Sequence, residues 1–457
     1  MLLHLFCKPG LFVFLQKKAY IARKIRTKPM KRTIFLIALL SLFANFSVPI
    51  RAVAQTTKAP SYEALKADIE ANIFRAGLNM DPYEYIPGPR TTVPRGYKPF
   101  YISHYGRHGS RSNWAGKEYS SIQKKYAKAA AAGLLTDEGL KAKEQIDKLI
   151  ELHDGMDGRL TALGAQEHRQ IAGRMYDYYK RVFRKGSKKV TARSSVVPRV
   201  LVSMAAFTGE LLSKQKDLEI SWDTGETIQP ILSTDSSREV RDSTQKILAR
   251  FRANYTPDTL AFQKRIFTDP EAAGKLIGNT KVMMKQTFDM AAGCAAFGLD
   301  DRLFRLFSLD DLCFYEQGIA INFYLRQCNS VEFGDERMKV VEPVIKDIIE
   351  KADAAISTGE YAADLRFGHD YQLLALGSYL GLEGIAERMD QESCRYWAGW
   401  RYTPFAGNIQ LIFYRNSKGE VLVKPLLNER ETRIIGLDGD DFPYYEWDDL
   451  KQLLLSR

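Results

Sequence analysis

Residues 98–111, KPFYISHYGRHGSR, combine a strand-like run with a charged turn, and the rest of the chain is best interpreted from them. The first eight residues are rich in aromatic and β-branched side chains and precede a glycine, a pattern typical of a strand that runs into a turn. The turn places His108 between Arg107 and Arg111, with Gly109 beside the histidine. Two interpretations follow: a charged surface loop, or a histidine held in an anion-binding site.

The chemistry of these residue types favours the second interpretation. A neutral imidazole accepts a phosphoryl group when its ring is well oriented. Flanking arginines disfavour protonation of His108 and present forked donors to phosphate oxygens, while Gly109 allows close approach of the backbone. A motif of this kind arises by chance in about one of several hundred chains. It therefore predicts a function only together with other segments.

The positive charge of the chain is confined to its first residues. The sequence has 66 Lys and Arg against 55 Asp and Glu, but residues 1–54 contain ten basic residues and no acidic one. Residues 55–457 therefore carry 56 basic and 55 acidic side chains, a net charge of +1. A general nucleic-acid-binding role loses its electrostatic basis, and we expect no nucleic-acid partner.

Residues 1–54 have the pattern of an export leader. Met30-Lys31-Arg32 form a charged start, residues 33–46 an apolar run, and Ala52-Val53-Ala54 a cleavage site before Gln55. The apolar run is short for a membrane-spanning helix, with an uncleaved anchor as the alternative. We expect a protein that starts at Met30 and is exported to the periplasm or the extracellular space, either free or membrane-associated.

Cysteine usage leaves two alternatives open. Cys7 lies in the leader, and the other four cysteines are Cys294, Cys313, Cys328 and Cys394. In an oxidising compartment they could form two disulfides, with three connectivities, and four buried free thiols are an equal alternative. The sequence has no Cys-x-x-Cys pair or Cys/His cluster, so we expect no structural zinc site.

Alternating strand and helix patterns predict an α/β fold. Strands are predicted at 98–105, 189–195 and 362–370, and helices at 137–153, 160–183 and 196–214. Strands that alternate with helices favour a largely parallel sheet. Residues 408–428 alternate on both sides of Asn416–Gly419 and predict a C-terminal hairpin. Ser194 or Ser195 is predicted to cap the helix that begins near Pro198.

The helical content of the middle of the chain predicts an insertion. From about Thr234 to Ser357 the pattern is mostly helical and holds three of the four cysteines outside the leader. We therefore expect a leader at 1–54, an α/β core built from residues 55–233 and 358–457, and an α-helical cap at 234–357.

Two distant segments could complete an anion site around His108. Arg199 lies in the first turn of a predicted helix, where free N–H groups favour an anion. His369-Asp370 follow a predicted strand and could supply a hydrogen bond to phosphate and a proton to a departing oxygen. Taken singly, a solvated Arg199 and a hydrogen-bonded turn at His369-Asp370 are the favoured interpretations. Of the other histidines, we expect His104 to be structural and His153 and His168 to be exposed.

Four motifs in this order resemble the histidine phosphatases of the acid phosphatase and phytase branch. Residues 107–111, Arg-His-Gly-Ser-Arg, are similar to the family's Arg-His-Gly-x-x-Arg motif and its close variants. Residues 160–164, Leu-Thr-Ala-Leu-Gly, are similar to its Leu-Thr-x-x-Gly helix start. Arg199 lies in a segment similar to the family's later arginine segment, and His369-Asp370 resemble its late His-Asp pair. The resemblance spans roughly residues 95–430.

This resemblance implies a fold and a mechanism. The implied fold is a Rossmann-like, phosphoglycerate mutase-like α/β core with a helical cap. The implied reaction is metal-free and cofactor-free hydrolysis of small-molecule phosphomonoesters through a phosphohistidine, with no stable protein partner. The implied roles are nucleophile for His108, proton donor for Asp370, and phosphate binding for Arg107, Arg111, Arg199 and His369.

Within the family, the chain looks most like the multiple inositol polyphosphate phosphatases, because of residues 160–175 and 420–429. This implies phytate-like substrates. Those enzymes usually show His-Ala-Glu where this chain has His369-Asp370-Tyr371, a pattern closer to periplasmic phytases and acid phosphatases. The substrate therefore stays open, with a broad-specificity periplasmic acid phosphatase or a non-catalytic phosphate-ligand binding protein as alternatives. Candidate cations for a highly phosphorylated substrate are Lys117, Lys124, Lys125 and Arg193, although solvated surface charge is their favoured interpretation.

Overall fold

A computed structural model describes residues 60–113, 116–437 and 442–457. The predicted leader, with its signal peptide and cleavage site, lies outside the described residues. The described part of the chain forms an α/β structure around one sheet, with a helical lobe beside it.

The central sheet has the strand order β3-β2-β4-β1-β5-β6-β7, and β8 pairs with β6. Its strands are β1 (Lys98–Arg107), β2 (Lys189–Ser194), β3 (Glu219–Thr224), β4 (Tyr361–Gly368), β5 (Asn408–Arg415), β6 (Val421–Leu427), β7 (Arg430–Glu431) and β8 (Tyr445–Glu446). The pairs β3–β2, β2–β4 and β4–β1 are parallel, and the pairs from β5 onward are antiparallel. The predicted parallel sheet and C-terminal hairpin are both present.

The helices alternate with the strands in the first half of the chain and dominate its middle. They are α1 (Tyr62–Ala71), α2 (Gly116–Ala131), α3 (Asp137–His153), α4 (Ala162–Tyr178), α5 (Lys180–Lys185), α6 (Pro198–Lys214), α7 (Gln229–Leu232), α8 (Arg238–Ala253), α9 (Thr259–Ile266), α10 (Pro270–Ile277), α11 (Thr280–Cys294), α12 (Leu309–Gln327), α13 (Gly334–Thr358), α14 (Asp370–Leu380) and α15 (Trp447–Ser456). A 3-10 segment, Ile73–Met80, follows α1. Thr136 and Thr161 cap α3 and α4, because each hydroxyl accepts from the backbone N–H three residues on.

Helices cover both faces of the sheet. Side chains alternate along β1, so Ile102 packs with α4 and α6 on one face, while Tyr101 and Tyr105 pack with α13 and α14 on the other. All three side chains are almost fully buried. This two-sided coverage accounts for the continuous runs of buried residues in β1 and β4.

The helical lobe has its own core and draws on more of the chain than the middle segment. Buried side chains of α1, α2 and α3 pack there with those of α9, α11 and the start of α12. Helix α13 packs instead on the sheet, through residues such as Val344 and Ile348. The cap boundaries at 234 and 357 remain a prediction. Residues 62–80 and 116–153, which lie outside these boundaries, also contribute side chains to the core of the lobe.

Several local expectations were wrong. The N-cap of α6 is Val197, without a side-chain hydrogen bond, because Ser194 and Ser195 lie too far upstream to reach the first-turn N–H groups. His153 and His168 are buried, since the helices that carry them pack these faces against aromatic side chains. His104 is buried as expected. Cys294, Cys313, Cys328 and Cys394 are all free and buried, which is the second of the two cysteine alternatives.

Among the described residues, no helix combines the length and the apolar character needed to cross a membrane.

A buried ion-pair cluster ties α13 to the sheet. The Asp347 carboxylate accepts two hydrogen bonds from the Arg193 guanidinium, each 2.8 Å, and one of 2.6 Å from Arg366 Nε. Burial would raise the pKa of Asp347, but the charges of Arg366 and Arg193 outweigh it and lower the pKa to about 2. Arg193 is therefore a structural partner of α13 rather than a cation available to a substrate.

We predict that Asp347→Asn lowers the free energy of unfolding by about 3 kcal/mol, because the buried Arg366 and the largely buried Arg193 lose their shared counter-charge. The ordinary pKa of an aspartate is about 3.9. The stabilisation is therefore fully present above about pH 4 and is lost as the pH falls through about 2. Urea unfolding as a function of pH tests this. The control Glu342→Gln, in an exposed pair with Lys346 on the same helix, should change stability by less than about 0.5 kcal/mol. Equal losses in the two variants would contradict the prediction.

Candidate active site

The ends of β1 and β4 bring the two predicted histidine motifs together. The strands are parallel neighbours with Arg107 opposite Gly368, so the segments that follow the two strands leave the sheet at the same edge. The His108 N–H donates to the Gly368 carbonyl at 3.0 Å. The rings of His108 and His369 lie 5.6 Å apart. Ligand sites of open α/β sheets form at this edge, beyond the carboxyl ends of the strands.

The loop after β1 is held in place by hydrogen bonds that it donates to side chains of α4 and α6. The Ser110 N–H and hydroxyl donate to the buried Glu167 carboxylate at 2.7 and 2.6 Å, and the Gly109 N–H donates to Ser203 Oγ at 3.1 Å. A side chain on Gly109 would meet the Gly164 carbonyl at 2.4 Å, so only glycine fits. The Leu-Thr-x-x-Gly helix start therefore supports the histidine loop directly.

His108 is buried and held as a neutral ring. Its Nδ1 lies 3.0 Å from the Gly109 carbonyl, which can only accept a hydrogen bond, so Nδ1 carries the hydrogen and Nε2 keeps its lone pair. Burial lowers the pKa of His108 well below its ordinary value, and the charges of Arg107, Arg199 and Arg111 lower it further. The imidazole is thus neutral, and its orientation leaves the Nε2 lone pair available, as a nucleophile requires.

Two predicted arginines face the cavity beside His108. Arg111 and Arg199 both line it, and an Arg199 Nη2 lies 3.4 Å from His369 Nδ1. Burial lowers the pKa of Arg111 to about 9 and that of Arg199 to about 10. Both groups remain charged at neutral pH, so the cavity carries a concentrated positive charge that favours an anion.

The structure places Arg107 behind this cavity rather than in its lining. Its guanidinium is fully buried, donates from Nη1 to the carbonyls of Asn79 and Thr403 at 2.7 and 2.8 Å, and lies over the Phe405 ring. Its Nη2 is 3.0 Å from Asp370 Oδ2. In this geometry Arg107 forms an ion pair with the Asp370 carboxylate and adds positive charge behind the cavity wall.

Asp370 occupies the first position of α14 and is enclosed by donors. In addition to Arg107, its Oδ2 accepts from Asn79 Nδ2 at 2.9 Å, and its Oδ1 accepts from the Tyr371 N–H at 2.9 Å. Burial would raise its pKa, but Arg107 and the Asn79 hydrogen bond outweigh this effect, and the pKa is lowered. The carboxylate is therefore ionised before an anion binds.

His369 is oriented by two residues that the sequence did not single out for this role. The hydroxyl of Ser195 lies 3.1 Å from His369 Nε2, and the Tyr371 ring stacks on the imidazole with an interplanar angle of 8°. Burial and the charge of Arg199 lower the pKa of His369 to about 3. A neutral His369 is consistent with a hydrogen-bonding role beside bound phosphate.

These side chains surround a cavity of about 260 Å³. His108, Arg111, Arg199, His369 and Asp370 all line it, so five of the six predicted site residues converge there. Further lining residues that sequence reasoning missed are Asn79, Asn322, Phe323, Arg326, Gln327 and Tyr371. Asn79 precedes the sheet by some twenty residues, and no local motif marks it. Lys124 and Lys125 do not line the cavity, and the Lys117 side chain lies outside the described residues.

Within residues 60–113, 116–437 and 442–457, no group of three or more His, Cys, Asp or Glu side chains is arranged to hold a metal ion. The chemistry that the site offers is instead a neutral imidazole, cationic donors and one carboxylate. This set suits transfer of a phosphoryl group to nitrogen.

Solved structures share this architecture. The multiple inositol polyphosphate phosphatase of Bifidobacterium longum in complex with inositol hexasulfate is 18% identical, over 83% of this chain and 97% of that chain, with a TM-score of 0.65. Its complex with phosphate has 17% identity, the same coverage and a TM-score of 0.67. The phytase from D. castellii is 14% identical, over 85% of this chain and 86% of that chain, with a TM-score of 0.63. No protein-family model and no curated protein matches the sequence.

At these identities the similarity is one of fold, and it confirms the fold class that the sequence predicted. The chain has the α/β fold seen in the multiple inositol polyphosphate phosphatase of Bifidobacterium longum and in the phytase from D. castellii.

Proposed function

We propose that this protein is a phosphomonoesterase that works through a phosphohistidine at His108. The observation that carries the proposal is the neutral, oriented His108 ring in a small cationic cavity, with the Asp370 carboxylate in the lining of the same cavity. A cavity with this donor set provides charge neutralisation and positioning, which is most of what phosphoryl transfer requires.

The proposed reaction has two steps. Arg111, Arg199 and His369 bind the phosphate oxygens, and His108 Nε2 attacks phosphorus while the bond to the ester oxygen breaks. Asp370, protonated once the bound dianion has raised its pKa, gives its proton to that oxygen and the alcohol leaves. Asp370 then takes a proton from water, and the resulting hydroxide attacks phosphorus and frees His108. Inorganic phosphate is released, and the enzyme regains its starting state.

For the substrate we propose inositol polyphosphates, and for the location the periplasm or the extracellular space. The solved complex of a similar fold with inositol hexasulfate supports the substrate class. The leader pattern of residues 1–54 supports export. A second candidate is a broad-specificity acid phosphatase, which is favoured by the largely apolar cavity that adjoins the phosphate site.

We predict that His108→Ala lowers kcat/KM for 4-nitrophenyl phosphate and for phytate by at least about a thousandfold, because the nucleophile is lost. Phosphate release by purified protein, without added metal, measures this. Leu260→Ala, at an exposed position in the helical lobe, is the control and should retain full activity. Full turnover by His108→Ala would contradict the mechanism. Phosphate binding by a wild-type protein without turnover would favour a phosphate-binding protein.

We predict that Asp370→Asn impairs esters with poor leaving groups most. The variant keeps the shape of the side chain but cannot donate a proton to the departing oxygen. Activity on propyl phosphate should fall by about a hundredfold or more, and activity on 4-nitrophenyl phosphate, whose phenolate leaves unaided, by much less. The ratio of the two kcat/KM values measures the effect. Equal losses for both esters would assign Asp370 a binding role instead.

A further inference from the structure

A second cavity, of about 640 Å³, continues from the phosphate cavity into the helical lobe. Four residues line both: Asn79, Asn322, Phe323 and Arg326. We call this second cavity the lobe groove. Because these four residues line both cavities, one substrate could place its phosphate in the smaller cavity and the rest of the molecule in the lobe groove.

The walls of the lobe groove are mostly apolar and rich in aromatic rings. Tyr315, Ile319 and Phe323 follow one another at four-residue spacing on α12 and form one wall. Phe251 of α8 and Phe288 of α11 line it from other helices. Their rings already pack in aromatic pairs: Phe288 lies 4.5 Å from Tyr315, and Phe251 is stacked on Phe314 at 5.1 Å. Such surfaces bind planar rings well.

The lobe groove lies on the leaving-group side of the proposed reaction. Asn79 lines it and also donates to the carboxylate of Asp370, the proposed proton donor to the departing oxygen. The ester oxygen must therefore point towards Asn79 and Asp370 when His108 attacks from the other side. The alcohol attached to that oxygen then extends into the groove.

The charges of the lobe groove are partly neutralised within the chain. Arg326 forms an ion pair of 2.8 Å with Asp235, and Lys285 pairs with Asp289. Arg252 and Lys281 are exposed at the groove, where solvent and salt screen their charges. The contacts that the groove offers to an uncharged alcohol are therefore mainly apolar.

We propose that the lobe groove binds the leaving group and that phosphomonoesters of alcohols that carry an aromatic ring are substrates in addition to inositol polyphosphates. This inference rests on the proposed phosphomonoesterase function. It widens the substrate class beyond inositol phosphates, because a ring in the groove gains contacts that a small alcohol lacks.

The test compares propyl phosphate with 3-phenylpropyl phosphate, whose alcohols leave with similar intrinsic ease. The full-length protein should hydrolyse the phenylpropyl ester with a kcat/KM at least about tenfold higher. Phe323→Ala should lower this ratio towards one, and Phe323→Leu should lower it less. The control Leu260→Ala, outside both cavities, should keep the wild-type ratio.

A ratio near one in the wild-type protein would overturn the inference while leaving the proposed function intact. Hydrolysis of neither ester, nor of 4-nitrophenyl phosphate, would instead contradict the proposed function itself. The failures of the two proposals are thus distinguishable.

A separate observation concerns the residue that joins the two cavities. The backbone carbonyl of Asn79 accepts a hydrogen bond from Arg107 at 2.7 Å. Its side-chain amide donates a hydrogen bond to the Asp370 carboxylate at 2.9 Å. The preceding residue, Leu78, is fully buried with φ at +47°, a conformation that a leucine rarely adopts. Backbone strain of this kind persists where surrounding structure enforces it, often at functional sites.

We infer that Asn79 is a positioning residue whose hydrogen bond holds the Asp370 carboxylate aimed at the ester oxygen. The other charged or titratable groups that act on Asp370 are Arg107, Arg111, Arg199, His369, Tyr105 and Tyr371. Asn79 is the neutral donor to the same oxygen that Arg107 approaches. Its loss removes a hydrogen bond that favours the charged form, so the pKa of Asp370 should rise.

The test is the pH dependence of kcat/KM for propyl phosphate, which needs a protonated Asp370. In Asn79→Ala the alkaline limb should move to higher pH by about one unit. Asn79→Asp should move it further in the same direction, because a second carboxylate disfavours ionisation of Asp370. The matched control Asn322→Ala removes an amide from the same cavity wall and should leave the limb in place. A limb that is the same in Asn79→Ala and Asn322→Ala would overturn the inference.

Discussion

The parallel pairing of β1 with β4 is the constraint on which the site depends. Arg107 lies opposite Gly368. The residues that follow the two strands, His108 and His369, therefore lie side by side at the same edge of the sheet. A slip of one residue would turn every side chain of a strand to the other face. The register is protected because both faces of the sheet are buried, so a slip would place Tyr101 and Ile102 against the wrong layer. The proposed nucleophile and the proposed acid are thus positioned by the same forces that build the core.

The second constraint is charge. Arg107, Arg111 and Arg199 converge on a buried region in which Asp370 is the carboxylate nearest to them. Burial of cations is costly unless they are compensated, and in the proposed function a bound phosphate dianion adds negative charge to this cationic region. The same positive field keeps His108 neutral and Asp370 ionised before the anion arrives. In the proposed reaction, binding of the dianion weakens that field, and Asp370 then accepts the proton that it later donates.

Much of this could be predicted from the sequence, because local signals coincide with the elements that matter. The strand before His108, the helix from Asp137 to His153 and the C-terminal hairpin are encoded by nearby residues. Contacts between distant segments could not be predicted in the same way. Nothing next to Asn79 indicates that its amide meets Asp370, 291 residues away. The polar helix sequence around His168 hides a face that packs against Phe207 and Phe367.

The segment around Asn79 also explains why the two ends of the substrate are treated differently. Asn79 reaches Asp370, and the nearby Tyr83 N–H donates at 3.0 Å to Glu167, which fixes the histidine loop. This segment therefore links the helical lobe to the edge of the sheet. In the proposed function, the phosphate is held by residues that follow β1 and β4 and by the start of α6, the alcohol is met by side chains of α8 and α11, and α12 lines both cavities. Substitutions in α8 and α11, whose side chains line the lobe groove and not the phosphate cavity, should change which alcohol binds while the phosphate-binding geometry stays the same. In such a fold the chemistry and the choice of substrate are carried by different parts of the chain.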